Sequence, residues 1–260
     1  MIDCHCIEKN IDRRVSGLLT VVIPSYNCAS NLRVCMNSRL DNCGSFLGNG
    51  INICIIDGGS TDNTKEIASS YCELYPSISF VSAPDNGVYD AMNKGIKLSN
   101  TPWVYFLGSD DCVTNHFAKI LSVLRNDTEC INVHVFPVMM LSDKRIVNLN
   151  SSLYYFIFRN VCHQGVVYPK KVFNDVLYSL RYPALADCAL NVELFNNFCF
   201  HPDFEPVSVY NDITGLSKST SDVSFIKDKS FLFRRHHGFI PFLISKILFL
   251  CGIFKNAIKK

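Results

Sequence analysis

The first half of the chain alternates between short apolar runs and segments with helical periodicity. The four apolar runs are LLTVVIP (18–24), INICIID (51–57), ISFVS (78–82) and WVYFL (103–107). Strands that are buried on both faces of a parallel sheet show such continuous apolar runs. The intervening segments 58–75 and 87–98 carry apolar residues at helical spacing. This alternation predicts an α/β fold in which crossover helices flank a mostly parallel sheet.

The pattern becomes less regular after about residue 131. The elements that it predicts are strands in 131–140 and 144–149 that can pair antiparallel, a strand and a helix start in 162–173, a helix in 183–195 and a strand in 206–211. No internal repeat or low-complexity linker divides this part of the chain. One continuous domain is therefore expected over residues 1–220, followed by a separate tail over residues 221–260.

Polar and acidic residues lie at the ends of the four apolar runs. They are Pro24, Tyr26 and Asn27 at the first run, Asp57 at the second, Asp85 after the third, and Asp110 and Asp111 after the fourth. In open α/β sheets, ligands bind outside the carboxyl ends of the strands. We therefore expect these side chains to converge on one crevice.

Asp110 and Asp111 are adjacent carboxylates directly after a buried run. Two such charges about 4 Å apart repel by about 1 kcal/mol in water and by more near a protein interior. A divalent cation would offset this repulsion, and Mg²⁺ or Mn²⁺ prefers carboxylate oxygens together with phosphate oxygens of a substrate. The alternative is a turn in which two solvated aspartates cap a helix that begins near Thr114.

The segment DGGSTDNT (57–64) has two interpretations. The carboxylate of Asp57 can accept hydrogen bonds from a nucleotide base or ribose, and Gly58 and Gly59 let a ligand approach the backbone. Alternatively, Ser60 to Asp62 form an ordinary helix N-cap. The chain contains neither a phosphate loop nor a G-x-G-x-x-G fingerprint, which leaves a dinucleotide cofactor without support.

Composition narrows the class of protein. The 260 residues are 48% hydrophobic and 18% charged, with a net charge of +2, which indicates a globular protein and disfavours a nucleic-acid binder. The 13 cysteines include no C-x-x-C pair, so their spacing gives little support to a zinc site and suggests a reducing cytoplasm. The N-terminus is too polar for a secretory signal, and no apolar stretch reaches the length of a membrane span.

Several motifs together resemble the nucleotide-sugar glycosyltransferases of family 2, which have the GT-A fold. The motifs are VVIPSYN (21–27), IIDGGSTDNT (55–64), PDNGVYDAMNKGIKLSNTPWVYFLGSDD (84–111), HQGVVYPKKVF (163–173), LADCALNVEL (185–194) and GLS (215–217). The resemblance covers about residues 18–217 and is greatest to bacterial members that build surface polysaccharides. It implies a donor half at about 18–112 and an acceptor half at about 113–220.

The resemblance also implies roles for single residues. Those implied to bind the donor are Asp57, Pro24, Tyr26 and Asn27 at the base, Asp85, Asn93 and Lys94 under the ribose and phosphates, and Asp110 at the ribose. Asp111 is similar to the ligand of a Mg²⁺ or Mn²⁺ ion on the diphosphate. Asp187 resembles the general base of inverting members, and His163 and Gln164 border the acceptor side.

These implied roles have structural alternatives. Asp187 could be an ordinary first-turn acid favoured by the helix dipole, and His163 a structural histidine. The chain also departs from the family pattern at two positions. Gly108 stands where Asp or Asn is common, so a donor contact is expected to be missing or moved there, and Ala189 stands where a second acid is common.

The tail contains an almost wholly apolar run from Phe239 to Phe254. Its 16 residues would form a helix of about 24 Å, shorter than the ~30 Å hydrocarbon core of a bilayer. Basic residues flank the run at Arg234, Arg235, Lys255, Lys259 and Lys260. Residues 234–260 are therefore expected to lie in the plane of an anionic inner leaflet. The alternative is packing on the domain or on a second copy in a homo-oligomer.

The expected protein is an inverting glycosyltransferase on the cytoplasmic face of the inner membrane. It would move a sugar from a nucleotide diphosphate sugar, UDP-linked, to a lipid-linked bacterial surface polysaccharide of the O-antigen or capsule type. One alternative is a sugar nucleotidyltransferase, which would need a Gly-rich basic loop that VVIPSYNCASN (21–31) does not offer. Another is a non-catalytic carbohydrate-binding or scaffold protein.

Overall fold

The computed structural model describes residues 17–147, 152–213 and 222–250. Within these ranges the strands are β1 (Leu19–Ser25), β2 (Ile51–Asp57), β3 (Ile78–Ser82), β4 (Trp103–Phe106), β5 (Cys112–Val113), β6 (Val133–Val135), β7 (Val138–Met140), β8 (Ile146–Val147), β9 (Val166–Pro169), β10 (Phe198–Phe200) and β11 (Ser208–Tyr210). The α-helices are α1 (Ala29–Cys43), α2 (Thr64–Leu74), α3 (Val88–Leu98), α4 (Ile120–Asn126), α5 (Leu153–Phe158), α6 (Ala186–Leu194), α7 (Val223–His237) and α8 (Phe239–Leu250).

A seven-stranded sheet with the order β10-β6-β9-β4-β1-β2-β3 organises the described part of the chain. Strands β4, β1, β2 and β3 are parallel, and β6 and β10 are parallel to each other. Strand β9 runs antiparallel to both of its neighbours, β4 and β6. The sheet is thus mixed and mostly parallel, and the predicted α/β fold is confirmed.

The four apolar runs form β1 to β4 because both faces of the sheet are covered. In β1, the side chain of Val22 belongs to one apolar cluster, and those of Val21 and Ile23 belong to the other. The first cluster includes residues of α3, α6 and α7, and the second includes residues of α1, α2 and α4. Every residue of β1 and β4 is therefore buried, whereas the edge strand β3 is mostly half-buried.

A smaller four-stranded sheet, ordered β5-β11-β7-β8, lies beside the main one. Strands β7 and β8 pair antiparallel, as the sequence pattern suggested for this region, and residues 148–149 of that prediction lie outside the described residues. Strand β5 follows Asp111 directly, so no α-helix begins near Thr114. The turn at the end of β4 consequently joins the two sheets.

The tail begins as two consecutive helices rather than one. Gly238, with φ +87°, separates α7 from α8 in a left-handed conformation that favours glycine. Helix α7 packs on α6, and α8 packs on α7 and α5. Among the residues described, none of the helices combines the length and apolar character needed to cross a bilayer. Residues 251–260 of the predicted tail lie outside the described ranges.

Candidate active site at the carboxyl edge of the sheet

The carboxylate of Asp57 lies fully buried at the end of β2. Its Oδ2 accepts hydrogen bonds from the backbone N–H groups of Gly59 at 3.1 Å and Ser60 at 3.0 Å, and from Ser82 Oγ at 2.6 Å. Ser60 Oγ also donates to its Oδ1. Gly59 has φ +89°, which favours glycine. Asp57 therefore fixes the loop that follows β2, and its contact with a nucleotide base stays a prediction.

The end of β1 is joined to this loop. Asn27 has φ 45°, its backbone N–H donates to Ser60 Oγ at 2.8 Å, and its Oδ1 accepts from Thr61 N at 2.9 Å. Pro24 is buried within β1, whereas Tyr26 is 63% exposed. The structure thus brings the predicted residues at the ends of β1 and β2 together, with the phenol ring of Tyr26 open to solvent.

Asp85 lies on the other side of the β2 loop. An added Cβ on Gly58 would stand 2.7 Å from Asp85 Oδ2, so the absence of a side chain there lets the carboxylate approach. The Oδ1 of Asp85 accepts from Gly87 N at 2.9 Å. Asp85 therefore adjoins the strand end that holds Asp57.

The two predicted donor residues of α3 make internal contacts. Lys94 Nζ donates to the carbonyl oxygen of Pro84 at 2.8 Å and lies 3.5 Å from Asp90 Oδ2. The side-chain amide of Asn93 donates to the carbonyl oxygen of Tyr178 at 2.9 Å and accepts from Tyr178 N at 3.0 Å. Asn93 thus ties α3 to the chain ahead of α6, while Lys94 holds the loop after β3.

Asp111 is a buried carboxylate that the chain holds from three directions. Its Oδ1 accepts from Asn211 N at 2.7 Å, and its Oδ2 accepts from Gln164 Nε2 at 2.8 Å and from Gly108 N at 3.2 Å. Only 2% of Asp111 is exposed, which rules out a solvated turn residue. Burial raises the pKa of Asp111 to about 6, and the charge of Asp110 adds to this.

The carboxylates of Asp110 and Asp111 face the same space beside Gly108. A Cβ added to Gly108 would lie 2.8 Å from Asp110 Oδ1 and 2.7 Å from Asp111 Oδ2. Burial also raises the pKa of Asp110. A buried and a half-buried carboxylate that converge in this way offer the hard oxygen ligands that suit Mg²⁺ or Mn²⁺, and a cation between them would offset their repulsion.

The turn His163–Gly165 connects the acid pair to the second half of the chain. Because β9 is antiparallel to β4, this turn before β9 lies at the carboxyl end of β4. The carbonyl oxygen of Gln164 accepts from Tyr105 Oη at 2.5 Å, which fixes the turn while the Gln164 amide reaches Asp111. The His163 ring stacks on Phe106, with centroids 5.4 Å apart, and its two nitrogens are buried without a hydrogen-bond partner in the described residues.

Asp187 lies in the first turn of α6 and is 8% exposed. Its Oδ1 accepts from Tyr89 Oη at 2.7 Å, and its Oδ2 accepts from Asn160 Nδ2 at 2.7 Å. Burial raises the pKa of the Tyr89 phenol well above its usual range, and the charge of Asp187 adds to the shift. Tyr89 therefore stays a hydrogen-bond donor that holds the Asp187 carboxylate in place.

Asp187 and Asp111 lie in one neighbourhood around Cys162. Burial raises the pKa of the Cys162 thiol to about 12, and the charges of Asp111 and Asp187 both contribute. Burial lowers the pKa of His163, which the charge of Asp187 partly opposes. The segment from Asn160 to Gln164 connects the two acids, because Asn160 donates to Asp187 and Gln164 donates to Asp111.

Sequence reasoning missed three residues of this site. Tyr89 and Asn160 hold Asp187, and the backbone of Asn211 holds Asp111. Tyr89 follows the PDNG motif by two positions, which is the one signal that could have drawn attention to it. The GLS segment 215–217 lies outside the described residues.

Comparisons with known proteins identify the family of the chain. The profile of the family described as glycosyl transferase family 2 matches residues 20–169, which include the acid pair and the turn before β9 but not Asp187. A PGL/p-HBAD biosynthesis glycosyltransferase of Mycobacterium bovis is 31% identical over 220 residues, which cover 81% of this chain and 83% of that protein.

Solved structures share the fold. Staphylococcus aureus TarS 1-349 in complex with UDP-GlcNAc has a TM-score of 0.70 at 14% identity, covering 92% of this chain and 72% of that one, and the chain spans 43% of a longer TarS structure. The mannosyltransferase PcManGT of Pyrobaculum calidifontis, in complex with GDP-Man and Mn²⁺, has a TM-score of 0.63 at 12% identity over 92% of this chain and 72% of its own. With the family profile matched over more than half of its length, the chain belongs to glycosyltransferase family 2.

Proposed function

We propose that the chain is an inverting glycosyltransferase that moves a sugar from a UDP-linked donor to a hydroxyl of a growing, lipid-linked bacterial surface polysaccharide. The observation that carries the proposal is the convergence of the Asp110 and Asp111 carboxylates beside Gly108, at the strand edge that also holds Asp57. The family membership and the names of the relatives support the transfer of a sugar.

Asp111, assisted by Asp110, would hold a Mg²⁺ or Mn²⁺ ion in this proposal. Such an ion neutralises the charge of a diphosphate leaving group. Gln164 and the Asn211 backbone keep the Asp111 carboxylate oriented toward Asp110. The Mn²⁺ in the complex of PcManGT supports the choice of metal.

The donor half, about residues 18–112, would bind the nucleotide. Tyr26 is exposed at the end of β1 and can cover a base, while Asp57 and Asp85 line the adjoining loops. The complexes of TarS with UDP and with UDP-GlcNAc support a UDP-linked donor.

The acceptor half, about residues 113–220, would supply the base. Asp187 would take the proton from the acceptor hydroxyl, and general-base assistance of this kind is typically worth 10²- to 10⁴-fold. Tyr89 and Asn160 hold one carboxylate oxygen each, which fixes the direction of the remaining lone pairs. His163 and Gln164 would border the acceptor between this base and the acid pair.

Helix α8 supports attachment to the cytoplasmic face of the inner membrane. Its Pro241 and Ser245 are buried on the domain, while an apolar stripe on the opposite side is exposed at Phe239, Ile240, Leu243, Ile247 and Leu250. Arg234 and Arg235 precede the stripe in the last turn of α7. Co-sedimentation with anionic vesicles should be lost in Leu243→Glu/Ile247→Glu, and binding that this variant retains would contradict the attachment.

A ligand-binding experiment tests the proposed activity. Thermal unfolding is followed with a panel of nucleotide sugars, with and without Mn²⁺, for the natural chain, for Asp111→Asn and for the surface control Asp143→Asn. A donor at about 100 times its Kd should stabilise the protein by about 2.7 kcal/mol. We expect this effect in the natural chain and the control but not in Asp111→Asn. The absence of stabilisation by any nucleotide sugar would overturn the proposal.

A further inference from the structure

A second group of metal-ligating side chains lies away from the acid pair, at the β6–β10 side of the main sheet. His134 in β6 and Cys199 in β10 are register partners on adjacent parallel strands, so their side chains share one face. His201 follows β10 directly. One ligand atom from each of these three residues lies within 4.8 Å of the other two. The separation of His134 and His201 by 67 positions explains why no spacing motif revealed the group.

The two imidazoles are already oriented toward a common point. His134 Nδ1 lies 2.9 Å from His201 Nε2, and His134 Nε2 lies 3.2 Å from Asp127 Oδ2. The ring of His201 stacks on Phe136, with centroids 4.8 Å apart and an interplanar angle of 13°. Because Asp127 accepts the proton on Nε2, the Nδ1 lone pair of His134 is directed at His201.

Asp127 is itself held in place. Its Oδ2 also accepts from the backbone N–H of Asn132 at 3.2 Å and from Asn132 Nδ2 at 3.0 Å. A carboxylate that receives the second N–H of a histidine in this way is typical of the outer shell of metal sites, where it fixes the tautomer and the ring orientation. The arrangement of His134 thus has the form of a metal ligand with its supporting acid.

We propose that His134, Cys199 and His201 bind a transition-metal ion of the Zn²⁺ class, with Asp127 orienting His134. In a tetrahedral zinc site with Zn–N distances of about 2.0–2.1 Å, two nitrogen ligands are about 3.3 Å apart. The observed 2.9 Å between the two imidazoles requires an opening of a few tenths of an ångström. The half-buried Cys199 side chain can turn to place its sulfur about 2.3 Å from the ion.

The ligand chemistry separates this site from the acid pair. Two imidazoles and a thiolate suit Zn²⁺, whereas the carboxylates of Asp110 and Asp111 suit Mg²⁺ or Mn²⁺. An ion bound by His134, Cys199 and His201 would join strand β10 to strand β6, and its binding would not depend on a nucleotide sugar. The proposal therefore stands whether or not the chain transfers a sugar.

Metal titration of the full-length protein tests the proposal. The protein is stripped with a chelator and titrated with Co²⁺, whose tetrahedral thiolate complexes show visible bands and a near-ultraviolet charge-transfer band. Both should appear at one equivalent and be displaced by Zn²⁺. Cys199→Ser should lose the charge-transfer band, and Asp127→Asn should bind about 10- to 100-fold more weakly. The matched control Cys72→Ser, and Asp111→Asn, should keep the full signal; a band that survives in Cys199→Ser would overturn the proposal.

Alkylation of the natural protein gives a second measurement that needs no substitution. Iodoacetamide labelling of Cys199 is quantified by peptide mass spectrometry with and without free Zn²⁺ at about 100 times its Kd. Only about 1% of the protein molecules then have an empty site. Labelling of Cys199 should therefore slow by about 100-fold, while that of Cys72 is unchanged. Equal labelling rates of Cys199 in both conditions would show that the histidines form only a hydrogen bond to each other.

Discussion

Two buried carboxylates at the same edge of the sheet, Asp57 and Asp111, are held in different ways. The carboxylate of Asp57 accepts hydrogen bonds from Gly59, Ser60 and Ser82, all within 25 residues of it. Asp111 accepts from Gly108, three residues away, but also from groups 53 and 100 residues away, and it faces a second carboxylate. We therefore expect the charge of Asp57 to fix a loop and the charge of Asp111 to be available to a cation.

The largest expected effect is on turnover, through Asp111. Asp111→Asn keeps the size of the side chain but removes the charge that would hold the metal, so we expect activity to fall by roughly 10²- to 10³-fold. Steady-state kinetics over a range of Mn²⁺ concentrations measure this. Asp143→Asn, at an exposed position, serves as the control. Full activity of Asp111→Asn would remove the distinction between the two carboxylates.

Substitution of Asp57 should lower the free energy of unfolding. Asp57→Ala leaves the buried N–H and hydroxyl donors of its loop without their acceptor, which should cost about 4 kcal/mol. Urea unfolding measures the loss, with Asp85→Ala as the half-buried comparison. A change in unfolding free energy below about 1 kcal/mol would show that the loop does not depend on this carboxylate.

The stability of the metal-free protein should depend on pH through Asp111. Its pKa is about 6 in the folded state against an ordinary value of 3.8, so the folded state holds the proton more tightly than the unfolded state. The free energy of unfolding that this tighter proton binding adds is fully present below pH 3.8. It is lost as the pH rises through about 6, a change of about 3 kcal/mol. Urea unfolding in a chelator, compared between the natural chain and Asp111→Asn, should show the difference. Parallel pH profiles for the two proteins would contradict it.

The smallest expected effect concerns Gln164. Its amide donates to Asp111 and lowers the pKa of that carboxyl, so Gln164→Ala should raise the pKa further and weaken metal-dependent nucleotide binding about tenfold near pH 6. Ser208→Ala is the matched control, because Ser208 Oγ donates to the backbone carbonyl of Gln164 and leaves the side-chain amide in place. Calorimetric titration at several pH values measures the shift. Equal affinities for the two variants would assign Gln164 a structural role alone.

The sequence predicted most of the sheet but not its order. Strands β2 and β3 begin and end where the apolar runs do, although Asn52 and Ser79 lie inside them. The hydrophobic pattern did not predict helix α1, because the buried face of this helix includes Arg39 beside Leu32 and Met36. The antiparallel position of β9 between β4 and β6 depends on long-range pairing that local periodicity does not encode.

The same limit applies to the candidate site. Residues at strand ends were located by a rule of fold geometry, which needs no knowledge of distant contacts. The partners of Asp187 come from α3 and from the loop after α5, 98 and 27 residues away, and no spacing in the sequence connects them. Motifs therefore identified the acids, and only the folded chain identified the groups that hold them.

The reversed direction of β9 has a consequence for how this protein can vary. Asp57 and Asp111 lie at or just after the carboxyl ends of β2 and β4. Gln164 lies at the same edge of the sheet but just before the amino end of β9. Changes between Asn160 and Gln164 would move the partners of Asp187 and Asp111 without altering the register of β1 to β4. One side of the cleft can thus be remodelled while the other keeps its dimensions.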